Sequence, residues 1–181
     1  MRQQSAKEKP VKSQKAAISV AFDQLLSLRM DMANFTADWL HCDQLSNYVA
    51  RMVSHDRPDP LRHSNLLSSV LNELLEMSFR SETDDGELVC AFCRCREIER
   101  VELTFPCPPR QRQFYKDVVL GLKTRQVLAS YLGAIANDSA PGDEAILLGL
   151  VVNYDAEVQL RDFGAGTLTF IVDLPLGKLL N

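Results

Sequence analysis

The clearest pattern of apolar and polar positions lies in residues 66–80, LLSSVLNELLEMSFR. Apolar or small residues recur there every three or four positions, which predicts a helix with one wide buried stripe. The predicted stripe consists of Leu67, Val70, Leu71, Leu74, Leu75 and Ser78. The opposite, polar face consists of Ser69, Asn72, Glu73, Glu76 and Arg80. Such a face either lines a site or is simply solvated.

Weaker patterns predict the other elements. Alternating residues indicate short strands, and residues at helical spacing indicate three further helices. The strands are expected at residues 17–22, 27–32, 87–95, 99–105, 156–161 and 167–174. The helices are expected at residues 44–54, 111–136 and 143–152. The first of them should bury Leu45, Tyr48, Val49 and Met52, and Gly121 should kink or divide the second.

This order of elements predicts the fold class. It favours an α/β two-layer sandwich with a mixed β-sheet and helices on one face. A chain of 181 residues is long enough for one domain with a real core, expected at residues 16–181. Residues 1–15 contain five Lys or Arg and almost nothing apolar, which predicts a disordered basic tail.

Charge and hydropathy restrict the partners. The net charge of −4 argues against nucleic acid and against an anionic membrane surface. The sequence has neither an apolar run of membrane-spanning length nor the apolar core of a signal peptide, so a cytoplasmic location is expected. The sequence leaves the oligomeric state open, with a homodimer as one arrangement.

The cysteines and histidines offer little chemistry. Cys90, Cys93 and Cys95 contain a CxxC spacing, and Cys107 would complete four zinc ligands. In a strand, however, Cys90 and Cys93 point to opposite faces, so we interpret the cysteines as small buried side chains and expect no metal site and no disulfide. The histidines His41, His55 and His63 are scattered and expected at the surface, and Trp39 is expected to anchor a loop against the core.

The residues 72–80, NELLEMSFR, resemble the N-box helix of the GHKL (Bergerat-fold) ATPases, with the approximate pattern N-E-L-[LV]-E-N-A-x-[KR]. This superfamily includes histidine kinases, anti-sigma kinases and gyrase. The resemblance implies that Glu73 stands at the position of the general base. The family's Mg²⁺ ligand, an asparagine four residues later, corresponds to Met77. A thioether is a soft ligand and cannot replace that oxygen.

Two further stretches extend the resemblance. Residues 164–175, GAGTLTFIVDLP, are similar to the closing strand of the superfamily, and the layout also resembles small bacterial regulators of the SiaB type. The phosphate-binding glycine box would begin at Gly142, but Glu144 and Ile146 stand where its glycines belong. The adenine box has no counterpart in residues 102–109, and the DxGxG of residues 162–166 comes too late in the chain to replace it.

The resemblance supports two hypotheses. In the first, the chain is a non-catalytic signalling regulator without cofactor or metal. It would bind a STAS-domain protein, a sigma factor or a response regulator through a degenerate nucleotide site that contains Asn72, Glu73, Glu76, Met77 and Arg80. In the second, it is a serine/threonine kinase of the anti-sigma type that uses ATP and Mg²⁺, with Glu73 as general base.

Overall fold

A computed structural model describes residues 21–81, 83–123, 126–137, 142–162, 164 and 166–179. The predicted basic tail at residues 1–15, and residues 17–20 of the first predicted strand, lie outside this part of the chain. The strands are β1 (Asp23–Asp31), β2 (Glu87–Cys95), β3 (Ile98–Pro106), β4 (Glu157–Asp162) and β5 (Thr167–Leu174). The helices are α1 (Met32–Thr36), α2 (Leu40–Ser54), α3 (Pro60–Phe79), α4 (Pro109–Gly121), α5 (Val127–Asn137), α6 (Asp143–Tyr154) and α7 (Leu176–Leu179).

The five described strands form one sheet in the order β1-β2-β3-β5-β4, and every neighbouring pair is antiparallel. The predicted α/β class is confirmed, and the architecture is compatible with two layers. The prediction of a mixed sheet is wrong. The reason lies in the connections between neighbouring strands. β2–β3 and β4–β5 are hairpins. Between β1 and β2, the antiparallel helices α2 and α3 return the chain to the end of the sheet where β1 ends.

One face of the sheet forms the core. In the register of the strands, Cys90 pairs with Leu103, and Leu103 pairs with Phe170, so all three side chains point to the same side. All three are buried, and the ring of Phe170 stacks on Phe105 with centroids 6.0 Å apart. On the opposite face, Arg100 and Asp173 form a pair of hydrogen bonds of 2.6 and 2.7 Å.

Helix α3 follows the predicted pattern closely. Asp59 caps its first turn by accepting a hydrogen bond from the backbone N–H of Arg62 at 3.1 Å, and Pro60 occupies the first helical position, where its missing N–H costs nothing. All six residues of the predicted stripe are buried. The stripe therefore packs into the core, and the polar face is left outside it.

Only part of the predicted buried side of α2 is confirmed: Val49 is buried, and Leu45 is half-buried against the core. Tyr48 and Met52 are 62% and 48% exposed, whereas the small residues Cys42, Ser46 and Ala50 are buried against the rest of the core. Ser46 tolerates burial because its hydroxyl donates to the backbone carbonyl of Asp43 at 2.9 Å. Small side chains allow α2 and α3 to approach closely, a requirement that hydropathy alone does not express.

Several boundaries also differ from the predictions. Ala21 and Phe22 are not part of a strand, and β1 begins at Asp23 and gives way to a helix at Met32. The predicted long helix is divided into α4 and α5, and α4 ends at the predicted break, Gly121. The turn before β2 requires Gly86, since its φ is +100° and an added Cβ would lie 2.7 Å from Cγ of Pro106.

Three of the cysteines, Cys42, Cys90 and Cys107, are buried as predicted, whereas Cys93 and Cys95 are half-buried. All five are free; Cys90 is buried on the core face, and Cys93 is half-buried on the other face. Within the part of the chain that the structure describes, no group of three or more His, Cys, Asp or Glu could hold a metal ion.

In the described ranges, no helix is both long and apolar enough to cross a bilayer.

A buried ionic network joins the helical hairpin to the sheet. Glu99 at the start of β3 is 2% exposed and accepts hydrogen bonds from Arg57 and from Arg94, the latter at 2.9 Å. Nε2 of His63 lies 3.3 Å from the same carboxylate. Burial raises the pKa of Glu99, but the contacts of His63 and Arg57 and the charge of Arg94 outweigh it and hold the pKa below its usual value.

The prediction that His63 lies at the surface is wrong, because its side chain is buried. Its Nδ1 lies 2.6 Å from Oγ of Ser54, so Ser54, His63 and Glu99 have the composition of a catalytic triad. The exposed fraction of Ser54 is 0%, and two arginines already bind the carboxylate of Glu99. No substrate can reach this serine, so the group is structural.

The buried stripe of α3 can be tested by mutation. Leu74→Ala should lower the free energy of unfolding by about 2–5 kcal/mol, because Leu74 is 1% exposed and truncation leaves a cavity. The control is Leu61→Ala in the same helix, which should cost less than about 0.5 kcal/mol since Leu61 is 72% exposed. Equal losses in urea unfolding would mean that the helix is rotated differently.

The ionic network around Glu99 predicts that two Glu→Gln variants lose different amounts of stability. Glu99→Gln should cost about 3–5 kcal/mol, because it leaves Arg57 without its counter-charge and leaves Arg94 with only the exposed Asp56. Glu87→Gln removes the same charge from the exposed pair with Arg29 and should cost less than about 1 kcal/mol. Denaturant unfolding of the two variants measures the difference, and a small cost for both would show that the network does not hold the hairpin on the sheet.

Candidate functional site

The polar face of α3 forms one wall of a cleft of about 350 Å³. Glu73, Glu76 and Arg80 lie on this wall because positions 73, 76 and 80 fall within about 60° of each other around a helix. Trp39 and residues of α5 and α6 form the other walls: Tyr131, Ile135, Ala145, Ile146, Gly149 and Asn153. The cleft therefore combines two carboxylates and one guanidinium with aromatic and aliphatic surfaces.

A chain of hydrogen bonds fixes the charged end of the cleft. Asn72 donates to Glu76 at 2.6 Å, and Arg80 lies 3.5 Å from the other oxygen of Glu76. Nε and Nη2 of Arg80 donate to the same oxygen of Asp143 at 3.0 and 2.6 Å. The hydroxyl of the buried Tyr115 donates to the second oxygen of Asp143 at 2.6 Å. These contacts tie α3, α4 and α6 together around the carboxylate of Asp143.

Asp143 also determines the chemistry of the helix end. It is the first residue of α6, where unpaired backbone N–H groups attract negative charge. A phosphate bound by a helix N-terminus would use the same N–H groups and the same positive field. The carboxylate of Asp143 binds Arg80 and Tyr115 rather than these N–H groups, and it adds a negative charge beside the place where an anionic ligand would bind.

The aromatic walls are held by packing. The ring of Trp39 contacts the ring of Phe79 edge-on at 4.8 Å, and the guanidinium of Arg80 lies 5.9 Å from the centre of the Trp39 ring. On the other side, the hydroxyl of Tyr131 accepts a hydrogen bond from Asn153 at 3.2 Å. A Cβ at Gly149 would lie 3.3 Å from the Tyr131 ring, so glycine at this position allows α5 to approach α6.

Glu73 differs from the other charged residues of the cleft. Among the described residues, no donor forms a hydrogen bond or an ion pair with its carboxylate. Burial, followed by the neighbouring charge of Glu76, raises the pKa of Glu73 to about 7. Burial and the charge of Glu73 also raise the pKa of Tyr154, on the adjacent face of α6. Glu73 is thus an unpaired carboxyl group that changes its charge near neutral pH.

The structure separates the predicted site residues into two groups. Glu73, Glu76, Arg80 and Ile146 line the cleft, and Asn72 supports Glu76 from behind. Gly142 precedes α6 as its N-cap residue, without a side chain to contribute.

Met77 and Glu144 do not reach the cleft. Met77 is rotated about 40° from Glu73 toward the buried stripe, and it is fully buried in the core. Glu144 is exposed and faces a separate groove beside Phe114 and Asp117. Glu144 therefore lies away from the cleft, and Asp143 is the acidic residue that binds Arg80 at this helix end.

Four important residues were absent from the sequence prediction of the site. The sequence pattern places Trp39 in a loop and gives Tyr131, Asp143 and Tyr115 no role in the site. The carboxylate of Asp143 could have been recognised, because an acidic residue in the first turn of a helix is a standard signal. Its pairing with Arg80 spans 63 residues and has no local signature.

The raised pKa of Glu73 predicts a pH-dependent stability. The ordinary value is 4.5 and the value in the fold is about 7. The protonated carboxyl therefore favours the folded state at low pH, and this contribution is lost as the pH rises through about 7. Glu73→Gln keeps the neutral form at every pH, so its melting temperature should exceed that of the wild type at pH 8 and match it near pH 4.5.

Glu144→Gln is the matched control for this measurement, since it removes an exposed glutamate at the edge of the same region. The difference between its melting temperature and that of the wild type should be the same at every pH from 4.5 to 8. A difference in melting temperature that is equally constant for Glu73→Gln would show that the carboxyl of Glu73 is ionised normally in the folded protein.

Comparisons of the chain with protein-family models, with curated proteins and with solved structures gave no match. The resemblance to the GHKL ATPases thus depends on the residues and motifs described above and stays a prediction. The α/β fold and the geometry of the cleft are the structural basis for the proposals that follow.

Proposed function

We propose that this protein is a non-catalytic bacterial signalling regulator that retains a degenerate GHKL-type ATPase fold and acts by binding another protein. A partner-switching circuit in the cytoplasm is the setting that the resemblance implies. A STAS-domain protein, a sigma factor or a response regulator would be the partner. The cleft between α3 and α6 corresponds to the nucleotide site in this proposal.

The contact between Arg80 and Asp143 is the main support. In an ATPase of this type, the phosphates would lie between α3 and the N-terminus of α6. Here that region contains Glu73, Glu76 and Asp143, and the single guanidinium of Arg80 already binds Asp143. At an effective dielectric constant of 20, two like charges 4 Å apart cost about 4 kcal/mol, roughly a thousandfold in affinity.

The position of Met77 supports the same conclusion. Mg²⁺ requires hard oxygen ligands in an octahedral arrangement, and a thioether is a soft ligand. Met77 is also fully buried in the core, so its side chain does not line the cleft. A nucleotide phosphate bound in the cleft would therefore lack the metal ligand that the resembled ATPases place on this helix.

One observation favours the alternative, a serine/threonine kinase of the anti-sigma type. Burial raises the pKa of Glu73 to about 7, and general bases work best when their pKa lies near the working pH. Glu73 would then remove the proton from a protein hydroxyl as it attacks the γ-phosphate of ATP. This function requires ATP and Mg²⁺ to bind in the same cleft.

Calorimetric titration with ATP and Mg²⁺ separates the two functions. The regulator should give no binding heat at micromolar to submillimolar nucleotide, and ATP should not change its melting temperature. A ligand at 100 times its dissociation constant would add about 2.7 kcal/mol of stability, which a thermal shift detects easily. Micromolar binding, together with phosphate transfer that Glu73→Gln abolishes, would refute the regulator and establish the kinase.

A further inference from the structure

The charge of the cleft is opposite to that of a nucleotide site. With Glu73 ionised, the group Glu73, Glu76, Asp143 and Arg80 has three negative charges and one positive charge. Arg80 is bound by Asp143 and approached by Glu76, so its charge is satisfied internally. Glu73 is the group left without a partner among the described residues, and it faces the open volume of the cleft.

The remaining walls suit an elongated side chain. Ile146 and Ile135 provide aliphatic surface, and the rings of Trp39 and Tyr131 also line the cleft. Aromatic faces attract ammonium and guanidinium groups, and aliphatic walls suit the methylene stem that carries such a group. A volume of about 350 Å³ lies near the lower end of the range for ligand pockets, enough for one long side chain.

The surface around the cleft extends the apolar contact. Trp39 and Ile135 line the cleft and are also 45% exposed. Leu132 and Leu128 continue from Ile135 along the outer side of α5, and both are exposed. An apolar surface continuous with a pocket is typical of a protein-binding site, and a small free amine would leave most of it uncovered.

We propose that the cleft receives a basic side chain, an arginine or a lysine, from the protein partner, with its charged group at Glu73 and its stem between the aromatic walls. This inference rests on the proposed function and names the chemistry of the partner. Arginine fits better than lysine, because its planar guanidinium can stack on an aromatic ring while it donates to a carboxylate.

The protonation of Glu73 should control this contact. The charged or titratable groups near Glu73 are Glu76 and Arg80 on its own helix and Tyr131 and Tyr154 on the neighbouring helices. Because the carboxyl must lose its proton to pair with a cation, binding should weaken as the pH falls through about 7. The affinity at pH 6 should be roughly tenfold lower than at pH 8.

Trp39 makes the test direct. It is the only tryptophan of the chain and lies in the cleft, so its fluorescence reports on occupancy. The probe is the capped tripeptide acetyl-Leu-Arg-Leu-amide, and the matched control replaces arginine with citrulline, which has nearly the same shape but no charge. We expect the arginine peptide to bind at least tenfold more tightly than the citrulline peptide at pH 8.

Two variants locate the contact. Glu73→Gln should weaken binding of the arginine peptide about tenfold and remove its pH dependence, whereas Glu144→Gln should leave both unchanged. The citrulline comparison uses the wild type and stays informative if a variant folds poorly. Equal binding of the arginine and citrulline peptides, or unchanged binding in Glu73→Gln, would overturn the proposal.

A third probe distinguishes the source of the cation. Agmatine has the same guanidinium and stem without peptide groups or neighbouring leucines. Binding of agmatine as tight as that of the tripeptide would assign the cleft to a free amine and overturn the partner side chain. The ATP titration tests the proposed function separately, so a failure of peptide binding without ATP binding would refute only this inference.

Discussion

Burial of one stripe of α3 is the constraint on which the rest of the structure depends. The stripe packs into the core that the helices share with the sheet, and this packing fixes the rotation of the helix about its axis. Once the rotation is fixed, Glu73, Glu76 and Arg80 must face the opposite side. The position of the cleft, and the charges within it, are therefore consequences of hydrophobic packing.

Ionic contacts anchor α3 near both of its ends, in different environments. Near the first end, His63 approaches Glu99, whose carboxylate is almost fully buried and held by two arginines. At the last turn, Arg80 is half-buried and binds Asp143 beside the open cleft. Because the network at Glu99 is closed to solvent, its loss should be costly. The contact of Arg80 is more accessible and can respond to a ligand.

Sequence patterns predict the elements in which apolar residues recur at regular spacing. The buried stripe of α3 and the strands β2, β3 and β5 were found because their periodicity is strong and local. The rotation of α2 does not follow from its pattern. Its buried side includes the small residues Cys42, Ser46 and Ala50 beside Val49 and Val53, whereas Tyr48 and Met52 are exposed. Close helix packing selects for small size, which a hydropathy pattern does not record.

The candidate site was predictable on α3 and much less so elsewhere. Glu73, Glu76 and Arg80 share one helical face, which follows from their spacing alone. Trp39 reaches this cleft, and Asp143 reaches Arg80, only through tertiary packing, and no local pattern indicates either contact. The buried position of His63 likewise depends on Glu99, which lies in another element.

The ion pair of Arg80 and Asp143 determines what kind of ligand the cleft can accept. A free arginine at the N-terminus of α6 would make this end of the cleft positive and suited to an anion. With Asp143 bound to it, the guanidinium is neutralised within the protein. With Glu73 ionised, the four charged groups have a net charge of −2, and Glu73 is the carboxylate that has no partner among the described residues. A single acidic residue at the start of α6 thus changes the preference of the cleft from negative to positive groups.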